Sequence, residues 1–228
     1  MKRFYKAVSV TPERGIVLDE RPLKTPSKIP LILPNEALAE AVASEWREQG
    51  EEIFPQSMKF TGLTNAAIER VAPDPAAFAK GLAVYGESEL LCYRADAPPE
   101  LVIRQEAEWD PVLEWARRRF DVSFTLVTGI MHQAQPDETL VRLDMATAAY
   151  DAFALAALSP IVTISGSLVI ALAVAEAAIM PEAAFDAAHL DELWQAEKWG
   201  EDDFALDART AYRTDFLAAC DFLRLLND

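Results

Sequence analysis

Between Asp151 and Glu176 the chain runs AFALAALSPIVTISGSLVIALAVA without a charge. No face of such a stretch carries a group that water would retain, so it must end in a bilayer or in a protein core. About 20 apolar residues suffice to span a membrane, so length alone does not decide. The flanks do: acids bound the run, where a membrane-spanning helix is flanked by Lys or Arg. Alanine outnumbers leucine in it, and Ser159-Pro160, Thr163, Ser165, Gly166 and Ser167 interrupt it. The Ser-Pro pair reads as an N-cap followed by a first-turn proline, which predicts two helices meeting at Pro160. The chain is therefore expected to wrap around a buried helix, with no stable membrane insertion.

Its 228 residues, 51% apolar and 25% charged, can bury a substantial core in one large domain or two modest ones. The 37 acids outnumber the 21 bases to give a net charge of -16. That balance excludes nucleic acid as a partner, because phosphate affinity comes from Lys and Arg releasing counterions. Cys92 and Cys220 stand far apart and read as reduced, buried thiols of a reducing compartment, with a disulfide between them left open. The first residues, Met1-Lys2-Arg3-Phe4-Tyr5-Lys6, contain no apolar signal core, which points to the cytoplasm.

The first third alternates like strands. Apolar residues up to Val10, the turn Pro12-Glu13-Arg14-Gly15 and Ile16-Val17-Leu18 predict a hairpin, and Ile29 to Leu33 a short edge strand. Asn35 caps a helix with Leu38, Val42 and Trp46 on one face, and a second helix covers Thr61 to Val71. Past Pro73-Asp74-Pro75 the pattern is helical. Helices are expected over 76–86, after Pro98-Pro99 with a kink or restart at Asp110-Pro111, from Asp137 to Leu158, from Pro160, from Pro181 to Trp199, and from Asp203. In the last, Tyr212, Phe216, Ala219, Leu223 and Leu226 form the inward stripe. Val122 to Val127 reads as an extended connector. The expected fold class is α+β: a small β-rich α+β domain over residues 1–75, then a larger all-helical domain over 76–228.

Catalytic patterns are scarce. His132 and His189 are isolated, so no metal site forms, and no glycine-rich phosphate loop offers a nucleotide or other cofactor a cradle. Gly166-Ser167 lacks the strand–turn–helix setting of a nucleophile elbow. The acids Asp191, Glu192, Glu197, Glu201, Asp202 and Asp203 cluster, with Glu197 and Glu201 at one-face helical spacing. They make either a solvated helix face or, with a second carboxylate, an acid/base site. Trp194, Gln195 and Trp199 lie among them. Aromatics interleaved with acids suit a basic, partly apolar protein surface, while packing against a neighbouring helix is the alternative. In Asp19-x-Arg21-Pro22-Leu23-Lys24-Thr25-Pro26, two prolines stiffen a loop that carries Arg21 and Lys24. Those cations either grip a peptide or carboxylate, or Arg21 pairs with Asp19 or Glu45 and holds the domain together.

Taken in order, several motifs resemble the assembly chaperones of the soluble catalytic sector of ATP synthase, of the type that attends the α subunit. They are Arg3-Phe4-Tyr5-Lys6, the Arg21–Pro26 element, Glu45-Trp46 with Gln49, Tyr93-Arg94, Gln105-x-x-x-Trp109-Asp110-Pro111, Thr128-Gly129-Ile130, Gly166-Ser167-Leu168 and Asp191-Glu192-x-x-Gln195-x-x-x-Trp199-Gly200. The resemblance implies a non-enzymatic protein that binds no nucleotide and has an orthogonal helical bundle as its second domain. It would hold the unassembled α subunit until the β subunit replaces it. The resemblance also implies that an acid of the last motif matters for function, Glu192 or Asp191. Trp194, Gln195 and Trp199 beside it, and Arg21 and Lys24 on the loop, are the other candidate partner-binding residues. Eukaryotic members carry a mitochondrial presequence. This chain starts at the first motif, which implies a bacterial cytoplasmic protein or a processed form in the mitochondrial matrix.

Overall fold

A computed structural model describes residues 1–129 and 131–227. Ile130, the last residue of the Thr128-Gly129-Ile130 motif, and Asp228 lie outside the described residues. The fold is α+β. It divides into two compact units: Met1–Pro75 with Asp151–Ala157 and Ala218–Asp228, and Ala76–Tyr150 with Leu158–Leu217. A division in chain order at residue 75 assigns those two later segments to the second unit, whereas in space they belong to the first. For the C-terminal segment the reason is one ring contact and one hydrogen bond: Phe222 packs edge-on against Phe60 at 6.0 Å, and Asn35 Nδ2 donates to the Leu225 carbonyl at 2.6 Å.

In the first unit the hairpin forms as β1 (Val8–Val10) and β2 (Ile16–Leu18), antiparallel. The third strand, β3 (Arg21–Pro22), pairs with β2 where a further strand at 29–33 was expected. Pro22 is tolerated because β3 is the edge, where no N–H is owed to a neighbour. Residues 29–33 make only isolated bridges, Lys24 with Pro30 and Gly15 with Ile32. Helix α1 (Glu36–Arg47) starts where Asn35 Oδ1 accepts from the Leu38 N–H at 2.9 Å, and it buries Leu38, Val42 and Trp46. Helix α2 (Lys59–Ala66) passes into a π-helical turn, Ala67–Val71. Its first turn is capped from α1: Glu45 accepts from the Phe60 and Thr61 N–H groups at 2.7 and 2.8 Å and from the Thr61 hydroxyl at 2.8 Å. Burial nonetheless pushes the Glu45 carboxyl above its ordinary value. Tyr5 donates to the Trp46 carbonyl at 2.6 Å, and Gln49 binds the Phe54 N–H and the Glu45 carbonyl. The Tyr5 and Glu45-Trp46-Gln49 motif residues thus hold this unit together.

The remaining elements are α3 (Pro75–Ala83), β4 (Tyr93–Arg94), α4 (Pro99–Phe120), β5 (Val127–Thr128), α5 (Asp137–Ala148), α6 (Ala152–Ser165), α7 (Leu168–Ala175), α8 (Pro181–Ala188), α9 (Leu190–Trp199) and α10 (Asp203–Leu226). β4 and β5 pair in parallel. Helix α4 continues through Pro111, so no restart occurs there. The helix expected from Asp137 to Leu158 is two, because Asp151 Oδ1 caps a new start by accepting from the Ala154 N–H at 2.8 Å.

The uncharged run does break, but at Gly166-Ser167; Pro160 lies inside α6. Gly166 takes φ +66°, and Ser167 caps α7 by accepting from the Ile170 N–H at 2.9 Å. Leu168 to Val174 are all buried, as befits a helix apolar on every side. The α7 N-terminus also receives a carboxylate, Glu89. It is wholly buried and accepts from the Val169 N–H at 3.0 Å and the Leu91 N–H at 3.3 Å. Among the described residues no helix is long and apolar enough to cross a membrane. Cys92 and Cys220 are buried thiols.

Candidate functional site

The helix expected from Pro181 to Trp199 is interrupted at His189, and the interruption sets up a groove in the second unit. His189, Glu192, Ala196 and Trp199 follow one another at steps of three, four and three, so they share one face. Ala205, Ala208, Arg209 and Tyr212 likewise share a face, on the first half of α10. With Thr163 and Ile164 these faces line a groove of ≈ 700 Å³. Gly200 makes the turn between them at φ 90° and ψ 165°, a conformation that is essentially open to glycine alone. Asp202 Oδ1 then caps α10 by accepting from the Ala205 N–H at 3.0 Å.

The α9 wall is pinned from behind by the sequence motifs. Asp191 accepts from Gln105 Nε2 at 2.8 Å, and Gln105 Oε1 accepts from the Ala95 N–H at 2.8 Å. Trp109 Nε1 donates to the Ala187 carbonyl at 2.8 Å, while Arg94 lies 5.3 Å over the Trp109 ring and pairs with Asp110 at 2.6 Å. Adjacent residues on a helix point about 100° apart, and here the two candidate acids separate accordingly. Asp191 turns to this scaffold; Glu192, exposed, lines the groove. The two tryptophans separate too. Trp194 is buried, and Trp199 meets it edge-on at 5.4 Å while remaining 73% exposed. Gln195 is exposed along the groove.

Around the rim the acids are taken up by bases. Glu197 pairs with Arg104 at 2.7 Å, which holds its carboxyl below the usual range, and Glu201 pairs with Arg209. The shared face expected for Glu197 and Glu201 is lost because Gly200 ends the helix between them. Paired with Arg104, the Glu197 carboxylate is therefore not poised to take up and release a proton near neutral pH. Burial pushes the Cys92 thiol up to about 12, which removes it as a nucleophile. Set aside in the sequence as isolated, His189 lines the groove, as do Arg209 and Tyr212. The three-four-three spacing from His189 to Trp199 is the signal that could have found the first of these.

Arg21 and Lys24 belong to the first unit and are exposed. Arg21 pairs with neither expected acid. Asp19 Oδ1 accepts from the Lys6 and Ala7 N–H groups, both at 2.9 Å, which holds its carboxyl below the usual range, and Glu45 caps α2. The loop is anchored instead by Thr25, whose buried Oγ1 accepts from the Ile29 N–H at 3.2 Å, and by Glu69, which accepts from the Ser27 N–H at 2.6 Å.

Residues 2–117 match the family model for the ATP12 chaperone protein. The whole chain is similar to the crystal structure of Atp12 from Paracoccus denitrificans, with 39% identity over 99% of this chain and 98% of that one and a TM-score of 0.94. An aspartate-to-lysine mutant of P. denitrificans Atp12p superposes with a TM-score of 0.93, at 39% identity over 99% and 97% of the two chains. The Atu1473 protein of Agrobacterium tumefaciens matches at 42% identity over 99% of this chain and 86% of that one, with a TM-score of 0.92.

Proposed function

The chain belongs to the ATP12 chaperone family, and from that premise we propose that it holds the unassembled α subunit of ATP synthase until the β subunit displaces it. The observation that carries this reading is Trp199, an indole 73% exposed beside the acidic Glu192 in a groove of ≈ 700 Å³. A lone subunit exposes apolar surface meant for its partner, and such surface aggregates. Tyr212 and Trp199 offer apolar contact to it, while the net charge of -16 keeps the complex dispersed. Holding by mass action needs no nucleotide, and release needs only a better competitor. In this reading Glu192, Gln195 and Trp199 touch the client, and Asp191 and Trp194 fix the wall that presents them. Arg21 and Lys24 form a second, client-facing loop. The buried thiols Cys92 and Cys220 suit action in a reducing cytoplasm.

An acid/base enzyme is the weaker reading, since the Arg104 guanidinium holds Glu197 ionised. The test is co-expression with the α or the β subunit, comparing the wild type with Glu192→Lys. Wild type should keep α soluble, and the variant should lose most of that capture while giving an unchanged circular-dichroism spectrum. Equal capture of α by a folded Glu192→Lys protein would refute the role of Glu192, and rescue of β alone would refute the choice of client.

A further inference from the structure

We propose that the groove takes an arginine side chain of the client and that His189 is the residue that selects it, an inference that rests on the client-binding reading above. The His189 side chain is buried, 7% exposed, and stacks on Phe185 with ring centroids 4.0 Å apart. Its Nδ1 lies 2.9 Å from the Phe185 carbonyl oxygen. A carbonyl only accepts, so Nδ1 carries a proton, and the neutral tautomer this selects has its lone pair on Nε2. Among the described residues no donor reaches Nε2, although the ring lines the groove. Nε2 is not one of the buried polar atoms left without a partner, so it meets the solvent of the groove, and a ligand N–H there replaces water at one fixed acceptor.

Glu192 stands one turn further along the same face. Among the described residues it joins no ion pair, and it does not bond His189. Two acceptors therefore line one groove. The cations close by are engaged elsewhere: Arg209 with Glu201, Arg104 with Glu197, and Lys198 over the Trp194 ring at 5.6 Å. The missing group is a donor with several N–H bonds and a positive charge. A guanidinium has five N–H donors in a rigid plane, so it can serve a carboxylate and an imidazole nitrogen together. Its face can also lie on an exposed indole such as Trp199. A lysine ammonium is a compact, strongly hydrated point charge that offers neither the fork nor the plane. A carboxylate ligand would be repelled by Glu192, and an apolar one would leave Nε2 unserved.

Nitrogen NMR of the two histidines in the full chain tests this, with N-acetyl-arginine methylamide as the probe. The citrulline analogue (same shape, no charge) and the lysine analogue serve as controls. Arginine should move the His189 Nε2 resonance and leave His132 unmoved, with about tenfold weaker binding of both controls, the size of one lost charge-assisted bond. His189→Asn retains a nitrogen donor toward Phe185 but has no ε acceptor. It should abolish the preference for arginine and weaken α-subunit capture about tenfold, compared at a temperature where circular dichroism shows both proteins folded, because loss of the Phe185 stack lowers the melting temperature. His189→Gln, which restores an acceptor at the ε position, should recover part of both. An unmoved Nε2 resonance, or equal binding of arginine and citrulline by the wild type, overturns the proposal even where a variant fails to fold. If the wild type captures the α subunit yet ignores the arginine probe, the client reading stands and the arginine site falls. Binding of the probe at His189 without capture of α supports the site and removes the client.

Discussion

Replacing Glu89 by glutamine separates two effects that act on this carboxyl in opposite directions. Backbone N–H groups of Val169 and Leu91 and the Ser167 side chain favour the anion, while complete burial penalises it. Burial is the larger and pushes the group from 4.5 up to about 7. The folded chain therefore binds this proton more tightly than the unfolded chain does. The associated stability is fully present below about pH 4.5 and is lost as the pH rises through about 7. At about 1.4 kcal/mol per pH unit, the loss amounts to about 3 kcal/mol. An amide cannot ionise, so Glu89→Gln lacks this loss. Its stability relative to wild type should rise by about 3 kcal/mol between pH 4.5 and pH 8. Urea unfolding of both proteins across that range measures it, and the difference curve cancels the other acids that titrate in common. Parallel curves would refute the claim that burial outweighs the donors. A variant that instead loses ground as the pH rises would show that the donors win and that the carboxylate is ionised in the fold.

Gly200→Ala tests the turn between the groove walls. No heavy atom lies within 4 Å of a Cβ placed there, so the cost of about 1–3 kcal/mol comes from the backbone at φ +90° alone and should appear as a lower melting temperature. Trp109→Phe removes the bond to the Ala187 carbonyl behind α9 and leaves that acceptor buried. A loss of about 1–3 kcal/mol in urea unfolding is expected, and an unchanged midpoint would sever Trp109 from the scaffold.

Much of the fold was legible because local signals agreed with burial. Asn35 with the stripe Leu38, Val42 and Trp46 predicts α1, and the acidic flanks of the uncharged run predict a core. The errors fall where a long-range partner outweighs a local signal. Ser159-Pro160 has the chemistry of a helix start, yet the helix continues and ends at Gly166, where Glu89 and Ser167 can serve the next N-terminus. Tyr212 keeps the spacing of the α10 stripe, but it lies at the groove and is 54% exposed, while Phe216 is fully buried. Asp191 and Glu192 are indistinguishable as letters; Gln105, 86 residues away, separates them. His189 looks solitary because its bonding partner is a backbone carbonyl, that of Phe185, and only its three-residue step to Glu192 marks the groove it lines.

The two walls of the groove differ in how firmly they are held. Behind α9 stand Trp194, Trp109 and the Gln105–Asp191 bond, whereas Asp203 to Ala208 on α10 are exposed without exception. One wall is backed by packed side chains, and the first two turns of the other are backed by few. A client bound as proposed would meet a well-backed face that sets register and a thinly backed face that can order on it. Closing costs ordering entropy, which discounts affinity and shortens residence. Under the proposed function, in which the client is later displaced, a weakly backed wall would keep the handover fast.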